Sequence, residues 1–335
     1  LIEKLKFENE APSRTSDRIE PYRRIDCGGC DQSRVPAWCK AYTFEVFHAT
    51  IAAIQLPGCT SALQDSVDHV TFLPAPFQGF AMTTEDRAWY VDFFDSDYLD
   101  IYDHIFTAER SVQEVAFAER VLGLEPGAWV LDLCCGQGRH SVPLAQHGYR
   151  VTALDLSPAY LELAQQAAQH HNVELETISA DMREIPFQDC FDAVINMYSS
   201  FGYLESEADD AQVLASVAKA MKPGGRFFLD MLNREWAVAN YIQNDWHSGS
   251  DGTLYIERRD LDLRTSRMRV RFTIVGPDGG RRDSIGHDIR LYTLTELIRM
   301  LSQAGLSVTG TFGGFNGEEY SIDHRRMIIA ARKDA

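Results

Sequence analysis

The sequence predicts an α/β fold built on a mainly parallel sheet, with a small antiparallel β insertion late in the chain and a long extension before the fold. Three observations carry this. From Trp129 to Leu232 short apolar runs alternate with helical patterns, the order that lays parallel strands side by side and covers both faces with helices. The first run, Trp129-Val-Leu-Asp-Leu133, breaks into Cys134-Cys-Gly-Gln-Gly138 ahead of a helix, a turn at which backbone approaches a ligand closely. After Asn233 the alternation stops and strand patterns follow one another.

Residues 1–81 do not share these patterns. The first methionine is Met82, and Cys27-Gly-Gly-Cys30, Cys39 and Cys59 lie among prolines without sustained periodicity. Four cysteines suggest zinc, but the last two are spaced separately rather than as a second Cys-x-x-Cys pair, so no metal is assigned. Ala41 to Gln55 is the one stretch here with an amphipathic helical pattern. The expectation for residues 1–81 is an N-terminal extension, poorly ordered or upstream of the natural start, and residues 82–335 are expected to form the functional domain.

Thr83-Thr-Glu-Asp86 offers a helix start, after which Trp89, Tyr90, Phe93 and Phe94 fall at helical spacing and Tyr98, Tyr102 and Phe106 continue the aromatic face. Such a face packs as core or covers a ligand. Glu109 to Val121 reads as an amphipathic helix stopped by Gly123. Then follow strand 129–134, helix 140–147, strand 149–155, helix 158–171, strands 173–179 and 191–197, helix 207–221 and strand 226–232. Ser157-Pro158 starts the second of these helices with an N-cap and a first-turn proline, which places Asp155 at a defined strand end. Lys222-Pro-Gly-Gly225 is explained by turn geometry. Leu254–Arg259, Arg267–Val275 and Arg281–Tyr292 read as three antiparallel strands, the last two joined by Gly276-Pro-Asp-Gly-Gly280, in an insertion of about 249–292 expected to cover the substrate. Thr293 caps a helix through Gln303, and Val308–Phe312 and Met327–Ala331 are the final strands.

In parallel sheets ligands bind at the carboxyl ends of the strands. A helix start behind Gly136 and Gly138 favours an anion, and an acid at the end of the next strand, Asp155, suits ribose hydroxyls. Both NAD sites and S-adenosylmethionine sites use such an acid. Two features separate them: Ser141 replaces the third glycine of the dinucleotide fingerprint, and Asp132 would repel a pyrophosphate while accepting an ammonium.

Asp132-Leu-Cys-Cys-Gly-Gln-Gly138, Asp155, Ala180-Asp181-Met182 and Lys222-Pro-Gly-Gly225 follow the order of the motifs of class I S-adenosylmethionine-dependent methyltransferases, which the sequence resembles over roughly residues 86–335. Where many members carry glycine two residues after the acid, Cys134 stands here. The resemblance implies a Rossmann-like sheet with an antiparallel closing pair, a core at 124–232, and S-adenosyl-L-methionine as cofactor. It implies that Asp132, Cys134, Gly136, Gly138, Asp155, Leu156, Asp181, Met182, Asn196 and Tyr102 bind that cofactor, with Asp181 and Met182 at adenine. Tyr98, Tyr198, Phe201, Tyr203, Trp236, Trp246 and His247 are the candidate substrate contacts. His104, His247, His287 and Tyr292 are candidate bases, and no catalytic residue is assigned.

The expected activity is methyl transfer to an O, N or C atom of a small molecule. The rivals are a protein or RNA methyltransferase, a non-catalytic cofactor-binding protein, and an NAD-dependent oxidoreductase, against which Ser141 and the antiparallel chain end weigh. At 335 residues with 45% hydrophobic content the chain can bury a sizeable core. A net charge of −17 argues against a general nucleic-acid surface. No apolar run has the length of a membrane helix and no signal-peptide pattern opens the chain, so the expected location is cytoplasmic. Cys134, Cys135 and Cys190 read as small buried hydrophobes, with Cys134 alternatively a reactive thiol. The sequence leaves the oligomeric state open.

Overall fold

The computed structural model describes residues 88–95 and 97–334. The expectations for residues 1–81, for their cysteines and helix, and for the Thr83 helix start lie outside the described residues. The strands are β1 (Trp129–Leu133), β2 (Arg150–Asp155), β3 (Glu176–Ser179), β4 (Phe191–Asn196), β5 (Met221–Leu232), β6 (Asn244–Ser248), β7 (Leu254–Asp262), β8 (Arg267–Val275), β9 (Arg281–Arg290), β10 (Leu306–Phe312) and β11 (Arg326–Lys333). The helices are α1 (Trp89–Asp95), α2 (Tyr98–Tyr102), α3 (Ala108–Leu122), α4 (Ser141–Gln146), α5 (Pro158–His170), α6 (Glu207–Ala220), α7 (Arg234–Ala239) and α8 (Leu294–Gln303).

Seven strands form one sheet in the order β10-β11-β5-β4-β1-β2-β3, parallel except where β11 runs against both β5 and β10. This is the Rossmann-like sheet with its antiparallel closing pair. The apolar run of β1 is needed because helices cover both faces: Leu131 and Leu133 pack with Leu214 of α6 and Leu297 of α8, and Val130 packs with Val115 and Phe117 of α3. Thr107 caps α3, Gly123 ends it in the left-handed conformation, and Thr293 with Glu296 makes a full capping box on α8.

The other four strands form an antiparallel sheet in the order β6-β7-β8-β9. Along β8 Met268, Val270, Phe272 and Ile274 are buried, and the residues between them are not. The buried row packs with Phe93 of α1 and Ile101 of α2, the rings of Phe93 and Phe272 lying 6.5 Å apart and 8° from parallel. Phe93 of the leading aromatic face is therefore core.

Three of the differences from the sequence reading have a local cause. The insertion has a fourth strand, β6, whose Asn-Asp-Trp-His-Ser text lacks alternation because an edge strand with most residues exposed is held by backbone pairing to β7. Strand β5 starts at Met221, and Lys222-Pro-Gly-Gly225 is an irregularity inside it; a Cβ on Gly225 would fall 2.8 Å from the Lys222 carbonyl. Strand β3 starts three residues late because α5 ends through Asn172 at φ +55°, with the Val173 N–H donating back to the Ala168 carbonyl.

Candidate active site

A cavity of about 340 Å³ opens at the carboxyl ends of β1, β2 and β3, within the ~300–1,000 Å³ typical of small-molecule sites. One wall is made by Cys134, Gly136, Asp155, Leu156, Asp181 and Met182. The opposite wall is aromatic, with Tyr90 and Phe94 from α1, Tyr98 from α2, and Phe106, Tyr198 and Tyr203 from loops.

The two glycines of the turn do different work. Gly136, at φ +53°, faces the cavity, and a Cβ there would find only Tyr160, 4.0 Å away, so the space it leaves is open to a ligand. Gly138, at φ +82°, does not line the cavity; a Cβ would lie 2.9 Å from that of Ala164, so this glycine lets the turn pack on α5. Cys134 is held at φ +61°, a conformation that glycine adopts freely and an L-residue adopts at a cost of roughly 1–2 kcal/mol, which accounts for the usual glycine there. Its Sγ lies 3.6 Å from Met182 Sδ. Burial, then the charges of Asp155, Asp132 and Asp181, push the thiol well up, so it stays protonated and is not the reactive thiolate alternative.

Asp155 ends β2 with both oxygens engaged: Oδ2 accepts the Gly136 N–H at 2.8 Å and Oδ1 the Ser157 N–H at 2.9 Å. Burial raises its pKa, and these backbone donors oppose the rise. The carboxylate is thus aimed by the turn it supports. Asp181 accepts the Arg183 N–H at 2.8 Å and pairs with the Arg183 guanidinium at 2.7 Å; burial raises its pKa, but Arg183 outweighs it and the net shift is downward. Asp132 does not line the cavity. It is 1% exposed, its Oδ2 accepts the Ser141 hydroxyl at 2.6 Å, and burial pushes it up to about 6 against the opposing pull of Ser141 and Arg139.

The aromatic wall carries two adjacent strained residues, Tyr198 and Ser199, both at φ +63°. Asp230 of β5 holds them: its Oδ2 accepts the Tyr198 N–H, its carbonyl the Ser199 N–H, and its Oδ1 the Arg326 Nε–H at 2.7 Å. Burial raises the phenols of Tyr98 and Tyr203 well above the usual range, leaving both neutral.

Several candidates from the sequence lie elsewhere. Tyr102 turns away from the cavity and its hydroxyl meets His287 Nε2 at 3.1 Å behind the aromatic wall. Asn196 ties the ends of β4 and β1 together through the Leu133 carbonyl at 2.9 Å. Phe201 is core beside Tyr292, and Trp236 on α7 lies under the Arg325 guanidinium at 5.5 Å. Trp246 is 66% exposed on β6, and His247 donates to the Ile101 carbonyl. Of the candidate bases, His287 is pushed down to about 4 by burial, Tyr292 donates to Asp210, and the ring of His104 lies 4.2 Å from that of His247, tilted 40° to it; none of them lines the cavity. No residue of β6–β9 lines it either, so the insertion backs the aromatic wall instead of covering the site itself.

Phe106, Arg139, Tyr160 and Met197 line the cavity without having been singled out as site residues. Arg139 and His140 follow the glycine turn directly, which was a usable signal. Their partner Glu114 on α3, an acid at a buried position, was another: it accepts from Arg110, Arg139 and His140, and although burial raises its pKa, these partners hold it well below the usual range.

Among the described residues no helix is long and apolar enough to cross a membrane. The chain matches a family described as methyltransferase domain over residues 130–225. It is 29% identical to the cypemycin N-terminal methyltransferase of a Streptomyces species, over 62% of this chain and 84% of that one. It is 26% identical to the dTDP-3-amino-3,4,6-trideoxy-alpha-D-glucopyranose N,N-dimethyltransferase of Streptomyces venezuelae, over 67% and 96%. In fold it is similar to the CcbJ methyltransferase of Streptomyces caelestis, with a TM-score of 0.63 at 20% identity, covering 75% of this chain and all of that one.

Proposed function

We infer that this chain belongs to the class I S-adenosylmethionine-dependent methyltransferases, and from that premise we propose that residues 82–335 transfer the donor's methyl group to a nitrogen atom of a small molecule. The observation that carries the reading is Asp155, a strand-end carboxylate on the cavity wall oriented by two backbone N–H groups. Each oxygen keeps a further lone pair for a ribose hydroxyl. The choice of nitrogen rests on the two relatives above, whose names specify a peptide N-terminus and an amino sugar.

The residues present fit the donor. Gly136 leaves open space where backbone must come close, Asp155 receives the ribose, and Asp181 with Met182 and Leu156 offers a carboxylate and apolar faces for adenine. When bound, S-adenosylmethionine supplies a methyl group on a sulfonium, which leaves as a neutral thioether while the acceptor's lone pair forms the new bond. The chain's own contribution is alignment and exclusion of water, of which proximity alone is worth on the order of 7–11 kcal/mol. Phe94, Tyr98 and Tyr203 line the cavity with aromatic rings, the two tyrosines keeping neutral hydroxyls, a wall that tolerates a cation without competing for the methyl group. A neutral amine needs no base to attack, and its extra proton leaves to water afterwards.

The test is transfer from methyl-labelled donor into low-molecular-mass amines, compared with protein and RNA fractions. Label in an amine product is the expected result. Label confined to protein or RNA would replace the acceptor class, and absence of S-adenosylhomocysteine binding would overturn the reading.

A further inference from the structure

Five of the aromatic rings that line the cavity touch one another in a continuous arc. Ring centroids lie 5.5 Å apart from Tyr203 to Phe94, 4.8 Å from Phe94 to Tyr98, 5.7 Å from Tyr98 to Phe106 and 5.2 Å from Phe106 to Tyr198. Each of these separations is one at which aromatic pairs attract. The arc is also held from outside. Phe93 packs on Phe94 and Tyr98 at 5.1 and 5.5 Å, Asp230 accepts the N–H of the strained Tyr198, and the guanidinium carbons of Arg139, Arg326 and Arg110 lie 5.0, 5.5 and 5.6 Å from the Tyr198 ring centroid. Packing within the chain therefore places all five rings.

Charge is closed off along the same arc. Glu114 takes Arg110 and Arg139, and Asp230 takes Arg326. Among the described residues Arg139 is the one arginine or lysine that lines the cavity; its Nη1 is bound to Ser111 and Glu114, and its Nη2 is buried. Ser200 donates its hydroxyl to the Met197 carbonyl at 3.1 Å. What the arc turns to a ligand is ring carbon and phenol hydroxyls.

Such a surface discriminates between the bodies on which an acceptor nitrogen could be carried. A sugar brings several hydroxyls and a nucleotide diphosphate brings negative charge, and either would give up water here for too few partners. An apolar body loses no hydrogen bonds on entry and gains by leaving water, and a ring gains further from the aromatic pairs it can join.

We propose that the arc from Tyr203 to Tyr198 is the acceptor subsite, and that the acceptor is an amine carried on an apolar, ring-bearing body rather than on a sugar. The proposal rests on the methyltransferase reading and narrows its acceptor. The arc is assigned to the acceptor because Gly136, Asp155, Asp181 and Met182, the groups fitted to the donor, stand on the opposite wall.

The test is calorimetry on the full chain saturated with S-adenosylhomocysteine. It is titrated with 2-phenylethylamine and, separately, with glucosamine, two primary amines that differ in the body carrying the nitrogen. The expected result is that 2-phenylethylamine binds at least about ten-fold more tightly than glucosamine. Phe94, inside the arc, gives a second measurement: Phe94→Ser should weaken 2-phenylethylamine roughly ten-fold, Phe94→Tyr should retain it, and S-adenosylhomocysteine affinity should stay within about two-fold in both. Equal or tighter binding of glucosamine, or binding of neither amine, overturns the proposal. So does a ten-fold loss of S-adenosylhomocysteine affinity in folded Phe94→Ser, which would hand the arc to the donor. Should S-adenosylhomocysteine fail to bind the parent chain at all, the methyltransferase reading falls by itself, and the two amine titrations on free protein still decide the arc.

Discussion

Where β1, β2 and β3 of the seven-stranded sheet end, Asp155 and the turns behind the three strands line the cavity; along the four-stranded sheet, from Asn244 to Arg290, no residue does. The first region acts through backbone placement: Asp155 is aimed by N–H groups of its own turn and helix start. The second acts through packing, since Phe272 and His287 support Phe93, Tyr102 and Tyr203, and of these only Tyr203 lines the cavity. Loss of a strand-end group should therefore weaken the donor directly. Loss of a supporting group should loosen the wall and reach the acceptor at second hand.

The largest effect is expected from the supporting region. Phe272→Ala should cost about 3–5 kcal/mol of stability and lower turnover of the remaining folded protein, with S-adenosylhomocysteine affinity within a few-fold of the parent. Thermal unfolding with calorimetry measures both. If donor affinity fell in step with turnover, the division between the two sheets would not hold.

Asp155→Ala comes next. It should weaken S-adenosylhomocysteine by roughly 1.5–4 kcal/mol, and about 1–2 kcal/mol of stability should go as well, because the Gly136 and Ser157 N–H groups lose their acceptor. A lowered melting temperature with unchanged affinity would remove Asp155 from the donor site.

Asp132→Asn sharpens the same contrast through pH. Asp132 is held at about 6, above the roughly 3.9 of an unfolded aspartate. For a raised acid the stabilising contribution is complete below the unfolded value and is lost as pH rises through the folded one. The Asn variant, which keeps an acceptor for Ser141, should therefore exceed the parent by about 2–3 kcal/mol at pH 7 and lose that advantage towards pH 4. Melting temperatures across that range check it, and a pH-independent difference would contradict the shift. The smallest effect belongs to Trp246→Ala, on the exposed edge of the small sheet: stability within about 0.5 kcal/mol and unchanged turnover. A loss of turnover would return Trp246 to the substrate side.

Periodicity, turn chemistry and motif order made the sheet, its helices and the strand-end residues legible in the sequence. Those features are local: an apolar run buried on both faces, an N-cap at Ser157, a glycine turn with left-handed backbone at Gly136 and Gly138. Tertiary structure decided what each did. Gly136 and Gly138 read alike but meet open space and Ala164, and Tyr98 and Tyr102 sit one helical turn apart yet face the cavity and His287. The arginines around Tyr198 come from α3, the glycine turn and the start of β11, brought together by strand order across the large sheet. Which side chains meet across such distances depends on close packing between whole elements, and no window of sequence contains that information.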